Sequence, residues 1–328
     1  MIVVTGGAGF IGSNLVAALG ERGEREVVVC DRLGGDDKWR NLAKHEIAEL
    51  VAPEGLHDFL DRHGDAVETV FHLGAVSSTT ETDADLVMSV NFTFSLALWR
   101  WCAAHRARLI YASSAATYGD GAQGFDDDAA PEALARLRPL NLYGWSKHLF
   151  DRRVVRWAAD GAPRPPQWAG LKFFNVYGPN EYHKGAMRSV VVQVWERAAR
   201  GEPVRLFRSH HPDYADGGQM RDFVAVADCV SVMLWLYDNP QTNGLFNLGT
   251  GTARSFADLA QAVYAALGAE PEIVYIDTPA KIRGKYQYFT RAETARLRAA
   301  GYGAPFVALE DGVADYVHNF LGRPDPYR

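Results

Sequence analysis

The chain opens Met-Ile-Val-Val-Thr-Gly-Gly-Ala-Gly-Phe-Ile-Gly-Ser-Asn, and this stretch constrains the fold more than any other. Ile2, Val3 and Val4 are consecutive, apolar and β-branched, which suits a strand buried on both faces of a parallel sheet. Leu15, Val16 and Leu19 then recur at helical spacing. Between the two runs, Gly7, Gly9 and Gly12 satisfy G-x-G-x-x-G, and Gly6, Gly9 and Gly12 satisfy the related G-x-x-G-x-x-G. A pyrophosphate needs this arrangement, because bare backbone, unpaired N–H groups and a helix dipole then meet at one point. A ligand-free glycine turn has the same residues, so context decides. A second apolar run, Val27-Val28-Val29-Cys30, ends in Asp31, nineteen residues after Gly12, where a ribose-binding carboxylate is expected.

Size and composition narrow the class. At 328 residues the chain can bury one large domain or two, and 48% hydrophobic with 23% charged residues is ordinary for a globular protein. A net charge of −6 argues against a broad nucleic-acid footprint. Cys30, Cys102 and Cys229 are odd in number and widely spaced, which points to a reducing compartment and to neither a disulfide framework nor a metal site. A strand beginning at Met1 leaves no room for a signal peptide, and no apolar run is long enough to span a bilayer. The expectation is a cytoplasmic protein without nucleic-acid or membrane partners.

Strand and helix patterns alternate through the first half, as in βαβ units. Residues 67–73, 109–112 and 170–175 read as strands, and 84–104 and 141–158 as helices. Residues 177–222 are rich in His, Pro, Gly and Arg, with one clear helix at 189–200. After them, 244–249 and 271–276 read as strands and 256–267 as a helix. The predicted class is α/β: a Rossmann doubly wound parallel sheet over 1–175, to which 223–254 returns, and a smaller mixed α/β substrate-binding domain over 176–328. The second part would cap the crevice beyond the carboxyl ends of the strands.

The chemistry centres on Tyr143 and Lys147, four residues apart and so on one helix face. A free tyrosine titrates near pH 10, and a neighbouring ammonium favours its phenolate. Ser114, just past a strand end, is placed to hydrogen-bond an oxygen that becomes a carbonyl. A solvated lysine beside a half-buried tyrosine is the bland reading of the same pair. The glycine turn and the strand ending in Ser113-Ser114, in this order, favour the machinery for moving a proton off a hydroxyl.

These residues resemble the extended short-chain dehydrogenase/reductases that act on nucleotide-sugars, whose Thr-Gly-x-x-Gly-x-x-Gly signature runs here from Thr5 to Gly12. Longer segments are similar to members of that family that epimerise an ADP-linked heptose. They are Tyr-Ala-Ser-Ser-Ala-Ala-Thr-Tyr-Gly (111–119), Phe-Phe-Asn-Val-Tyr-Gly-Pro-Asn-Glu (173–181), His-Lys-Gly (183–185), Phe-Asn-Leu-Gly-Thr-Gly (246–251), Gly-Lys-Tyr-Gln (284–287) and Leu-Arg-Ala-Ala-Gly-Tyr (297–302). The resemblance implies an isomerase that retains NADP, oxidises C6 of the heptose to a transient ketone and reduces it again from the other face. It also implies a role in lipopolysaccharide core heptose biosynthesis and a closed homo-oligomer, a pentamer. Tyr143 would be one acid/base, Lys147 would touch the cofactor ribose, and Lys184 would be the second acid/base. Two such groups make sense, because inverting a centre presents the hydroxyl in two opposed orientations. A loop lysine contacting a diphosphate is the alternative for Lys184.

By the same resemblance Gly6, Gly9, Phe10, Ile11, Gly12, Leu73, Gly74, Ala75, Val76, Ser77, Asn91 and Val176 would contact the cofactor. Asp31 alone favours NAD, whereas Arg32 and Lys38 beside it could neutralise a 2′-phosphate, so NADP is preferred and NAD stands as the alternative. Asn175, Phe207, Arg208, Ser209, His210 and Tyr286 would hold the nucleotide-sugar together with Ser114. Arg221 would anchor its diphosphate, unless it pairs with Asp222 or Asp228. Ala186 stands where the family often carries a small hydroxyl residue, and Gln193 where some members have His, so both bear on sugar contacts. A dehydratase is disfavoured because Ala115 and Ala116 follow Ser114 in place of an Asp-Glu pair. A nucleotide-sugar reductase or a C4 epimerase shares the triad and remains the rival. A non-enzymatic NADP-sensing scaffold has no need of Ser114, Tyr143 and Lys147 together.

Overall fold

A computed structural model of the protein describes residues 1–279 and 287–328. Its centre is a seven-stranded sheet whose strands are β1 (Ile2–Thr5), β2 (Val27–Cys30), β3 (Glu49–Val51), β4 (Thr69–His72), β5 (Arg108–Ser114), β6 (Trp168–Phe173) and β10 (Gly244–Leu248). They pair in the order β10-β6-β5-β4-β1-β2-β3, every pair parallel. The β-branched runs seen in the sequence are these inner strands, and their alternation sorts two cores. Val3, Val28, Val70 and Leu109 point to one face, while Ile2, Val4, Val29, Phe71 and Ile110 point to the other.

Helices cover both faces. On the first lie Leu98, Trp99 and Cys102 of helix Phe94–His105 and Phe150 and Val154 of helix Leu142–Ala159. On the second lie Leu15 and Leu19 of helix Phe10–Glu21 with Val230, Met233 and Leu236 of helix Val226–Asp238. The stretch read as one helix over 84–104 is broken: Ala84–Met88 and Phe94–His105 are α-helical, and Ser89–Thr93 forms a π turn between them. Asn91 explains the bulge. Its amide accepts from Val76 N (2.8 Å) and donates to Val76 O (2.9 Å) and Ser146 Oγ (3.0 Å), so the helix widens to aim it at the β4 loop.

A third core, built from Val191, Val194, Leu206, Phe223, Leu259, Val263, Val313 and Tyr316, lies within residues 177–321. Two small sheets flank it. In one, β9 (Met220–Ala225) lies between β7 (Asn175–Tyr177) and β11 (Ala253–Ser255); in the other, β8 (Val204–Phe207) pairs with β12 (Ile273–Ile276). β8 and β9 are absent from the sequence reading because their apolar residues are interrupted by Arg205, Arg221 and Asp222. Helix Phe256–Leu267 begins in a capping box, Ser255 with Asp258, and ends on Gly268 in the left-handed region, matching its expected bounds. Among the described residues, no helix is long and apolar enough to cross a membrane, and no group of three or more His, Cys, Asp or Glu side chains is placed to hold a metal.

Leu171 lies fully buried in the middle of β6 against the second face. Leu171→Ala is expected to lower unfolding stability by about 3 kcal/mol, read as a reduced denaturation midpoint at constant m-value. A loss below about 1 kcal/mol would show that this face is not close-packed.

Candidate active site

The glycine turn is tighter than its sequence alone implies. Gly6 sits at φ +68°, and a Cβ there would lie 2.6 Å from Gly74 N. A Cβ at Gly12 would lie 2.1 Å from Gly6 O, so only hydrogen lets the helix start against the turn. Helix Phe10–Glu21 is left without a side-chain cap at Gly9, and its first residues, Phe10, Ile11 and Gly12, line the cleft. This cradle suits a pyrophosphate, both in space and in unsatisfied donors. Behind it, fully buried His72 bridges Thr5 Oγ1 (2.7 Å) and Ser95 Oγ (2.8 Å), and burial pushes its pKa down to about 3, so it stands neutral.

A cleft of about 810 Å³ runs from the cradle along the carboxyl ends of the strands. Gly6, Gly9, Phe10, Ile11, Gly12, Asp31, Lys38, Leu73, Gly74, Ala75, Val76 and Ser77 line one end. Asp31 accepts from Ala8 N (3.0 Å), Arg32 N (2.7 Å) and Lys38 Nζ (2.7 Å), so its charge is already countered. The Arg32 guanidinium pairs with Glu54 and does not line the cleft. Asn91 also stands behind the lining and reaches it only through Val76.

Ser114, Tyr143 and Lys147 meet at the middle of the cleft. Asn141 caps their helix, with Oδ1 accepting from Gly144 N at 2.8 Å. Gly144 lets it approach the Ala115–Tyr118 turn, for a Cβ there would be 2.7 Å from Ala116 O. The electrostatics differ from the sequence expectation. Burial pushes the Tyr143 phenol up, while a hydrogen bond with Ser114 pulls the other way and Asp151 adds to the rise. The Lys147 ammonium donates to Ala112 O (2.8 Å), and burial lowers its pKa to about 8 against the opposing pull of Asp151. Desolvation, and not the lysine one turn away, decides the direction of the phenol's shift.

Lys184 lines the same cleft, on the turn Tyr182–Met187, with Nζ 5.4 Å from the centre of the Phe10 ring. Burial lowers its pKa, and Glu181 opposes the shift. Glu181 itself is fully buried and closes the turn. Its carboxylate accepts from Gly178 N (3.3 Å), Ser189 N, Ser189 Oγ (2.7 Å) and Tyr316 OH (3.2 Å). In the sequence Glu181 carries no signal beyond its place in the 173–181 segment, because the burial of a carboxylate leaves no periodic mark.

The far end of the cleft is lined by Asn175, Val176 and Arg221, with the Arg221 guanidinium 5.6 Å from the centre of the Phe256 ring. His183, Met187, Arg188, Phe223, Phe256 and Leu259 also line it and were not singled out from sequence. Ala186, Gln193, Phe207, Arg208, Ser209 and His210 lie outside this lining; Gln193 Nε2 instead donates to Arg188 O (2.9 Å). Tyr286 lies outside the described residues.

A glycine-turn parallel sheet with Ser at a strand end facing Tyr and Lys on the next long helix defines a broad class of dehydrogenase-like enzymes. More narrowly, the chain belongs to the NAD dependent epimerase/dehydratase family, whose model matches residues 2–249. A protein of Nitratidesulfovibrio vulgaris strain DP4 named ADP-L-glycero-D-manno-heptose-6-epimerase is 51% identical over 331 residues, covering 100% of both chains. A protein of the same name from Fusobacterium nucleatum is 45% identical, again over 100% of both. Among solved structures, the Helicobacter pylori ADP-L-glycero-D-manno-heptose-6-epimerase aligns with TM-score 0.77 at 30% identity, covering 97% of this chain and 95% of that one. The Thermus thermophilus UDP-glucose 4-epimerase in complex with NAD aligns with TM-score 0.74 at 28% identity, covering 95% and 96%.

Gly12→Ala is expected to abolish measurable dinucleotide binding by calorimetry, because the added methyl overlaps Gly6 O. Gly9→Ala, whose Cβ meets the same oxygen at 3.1 Å, should only weaken it. Equal binding by both variants would remove the cradle from the site.

Proposed function

We propose that the chain inverts C6 of ADP-D-glycero-D-manno-heptose to give the L-glycero form, using a retained NADP, in the assembly of lipopolysaccharide core heptose. The observation that carries this reading is the convergence of Tyr143 and Lys184, from separate elements, on one cleft floored by the glycine cradle. Full-length identity to relatives bearing that name supports the choice of sugar.

Held on the glycine cradle, a nicotinamide dinucleotide would supply the reversible acceptance of hydride from C6. The protein handles the proton. Tyr143 accepts it from the C6 hydroxyl in one orientation of the sugar, as the phenolate that a cationic Lys147 would favour against the burial that pushes the phenol up, with Ser114 hydrogen-bonded to the same oxygen. Lys147 supplies a positive charge beside the phenol and a contact for the cofactor ribose. In the opposed orientation the C6 oxygen meets Lys184, whose pKa burial lowers, so that its ammonium gives up a proton more readily than a solvated lysine does. Arg221 is placed to pair with the diphosphate, and Asn175 with the sugar.

For the cofactor, Lys38 neutralises Asp31 and so removes the repulsion that a 2′-phosphate would meet, whereas the Arg32 guanidinium is already paired with Glu54. We place the nucleotide-binding part at 1–175 with 223–254, the substrate part at 176–328, and the enzyme in the cytoplasm as a closed homo-oligomer, a pentamer.

Tyr143→Phe and Lys184→Met are each expected to cut turnover about 10²- to 10⁴-fold, with melting temperature unchanged, in an NMR assay of C6 configuration. Stoichiometric consumption of NADPH with this substrate would instead make the enzyme a reductase. Lys38→Ala should weaken NADP binding about tenfold while leaving NAD binding nearly unchanged, and equal losses for both would overturn the NADP assignment.

A further inference from the structure

Beneath the cleft lies a charged cluster that the chemistry above leaves unused. Asp151 and Lys172 are both fully buried, and Lys172 Nζ donates to Asp151 Oδ2 at 2.7 Å. The same carboxylate accepts from Ser113 Oγ (2.6 Å) and Tyr111 OH (3.0 Å). Lys172 also donates to Thr117 Oγ1 (2.8 Å) and sits 5.1 Å from the centre of the Tyr118 ring. Each partner adjoins the triad: Ser113 precedes Ser114, Thr117 belongs to the turn after it, and Asp151 is one helical turn beyond Lys147. Burying an ion pair costs desolvation that apolar residues avoid, so stability alone is a poor reason for the pair.

We propose that Asp151 is a positioning residue that sets the charge state of the Ser114–Tyr143–Lys147 constellation. The carboxylate pairs directly with the buried Lys172 ammonium and stands one helical turn from the buried Lys147 ammonium, on whose charge it acts through space. It holds Lys147 cationic while fixing, through Ser113, the strand end that presents Ser114. The inference rests on the acid–base reading of Tyr143 and Lys147 given above.

The neighbouring groups define the sign of the effect. Lys147 and Asp151 are faced by Tyr143 and His148 on their own helix, by Tyr111 on β5, by Tyr118 on the following turn, by Lys172 on β6 and by His72 on β4. Burial holds His72 and His148 neutral, at about 3 and about 4, and Arg138 and Arg152 act on His148 from outside. Near neutral pH the charges that matter are therefore Lys147, Lys172 and Asp151. Removing the carboxylate charge lets Lys147 lose its proton at lower pH. Removing the Lys172 charge leaves Asp151 to Lys147 alone and raises the pH at which that proton is lost.

The test is a pH titration of the Lys147 side chain by ¹³C-lysine NMR in the cofactor-loaded enzyme, with the resonance identified by its absence in Lys147→Met. Asp151→Asn should move the midpoint down, Lys172→Met should move it up, and the double variant should restore it. Asp151→Glu and Lys172→Arg should leave it in place. Shifts of the same sign in the two single variants, or no shift in folded protein, would reduce the pair to a structural brace. If Asp151→Asn fails to fold, Lys172→Met decides by the sign of its shift. The underlying acid–base reading fails separately, through full turnover by Tyr143→Phe, and the Lys147 titration does not depend on turnover.

Discussion

The architecture depends on backbone meeting backbone at the first turn. Gly6 in the left-handed region touches the Gly74 backbone at the end of β4, and Gly12 brings the first helix against the Gly6 carbonyl. Three segments are thereby drawn closer than side chains permit, and every other group in the cleft is placed relative to that contact. The parallel order of β1, β2, β4, β5 and β6 then aligns their carboxyl ends, so Asp31, His72 and Ser114 arrive on one side of the sheet without any further device.

Charge is handled in two ways around this floor. At the rim, ionic groups are partly exposed and paired locally, as with Asp31 and Lys38. Under the triad they are sealed from water, where a single carboxylate accepts from one ammonium and two hydroxyls. In such surroundings desolvation governs, which is why the Tyr143 phenol is pushed up despite a lysine one turn away.

The parts legible in the sequence were those with local signatures. Inner strands announced themselves by β-branched runs, the first turn by glycine spacing, and the Tyr143–Lys147 pair by helical period. The polar strands β8 and β9 carried no such run, since Arg205, Arg221 and Asp222 interrupt it. Asp151, Lys172 and Glu181 were equally silent, for a charged residue looks the same in sequence whether solvated or sealed. The direction of the Tyr143 shift was misjudged for a related reason: spacing reveals a neighbour but not how much water it displaces. Resemblance assigned Phe207 to His210 to the sugar pocket, whereas the geometry sets them outside the cleft lining.

The two groups proposed to handle the proton rest on foundations of different kinds. Tyr143 is carried by a helix packed on the main sheet, while Lys184 sits on a short turn fastened by the Glu181 carboxylate and, through Tyr316, to a distant helix. Local opening of that turn can proceed without disturbing the sheet, so the two halves of the site have separate stabilities. A fold built this way can accommodate exchanges around the turn without altering the glycine cradle and the strand ends on which the proposed cofactor site rests.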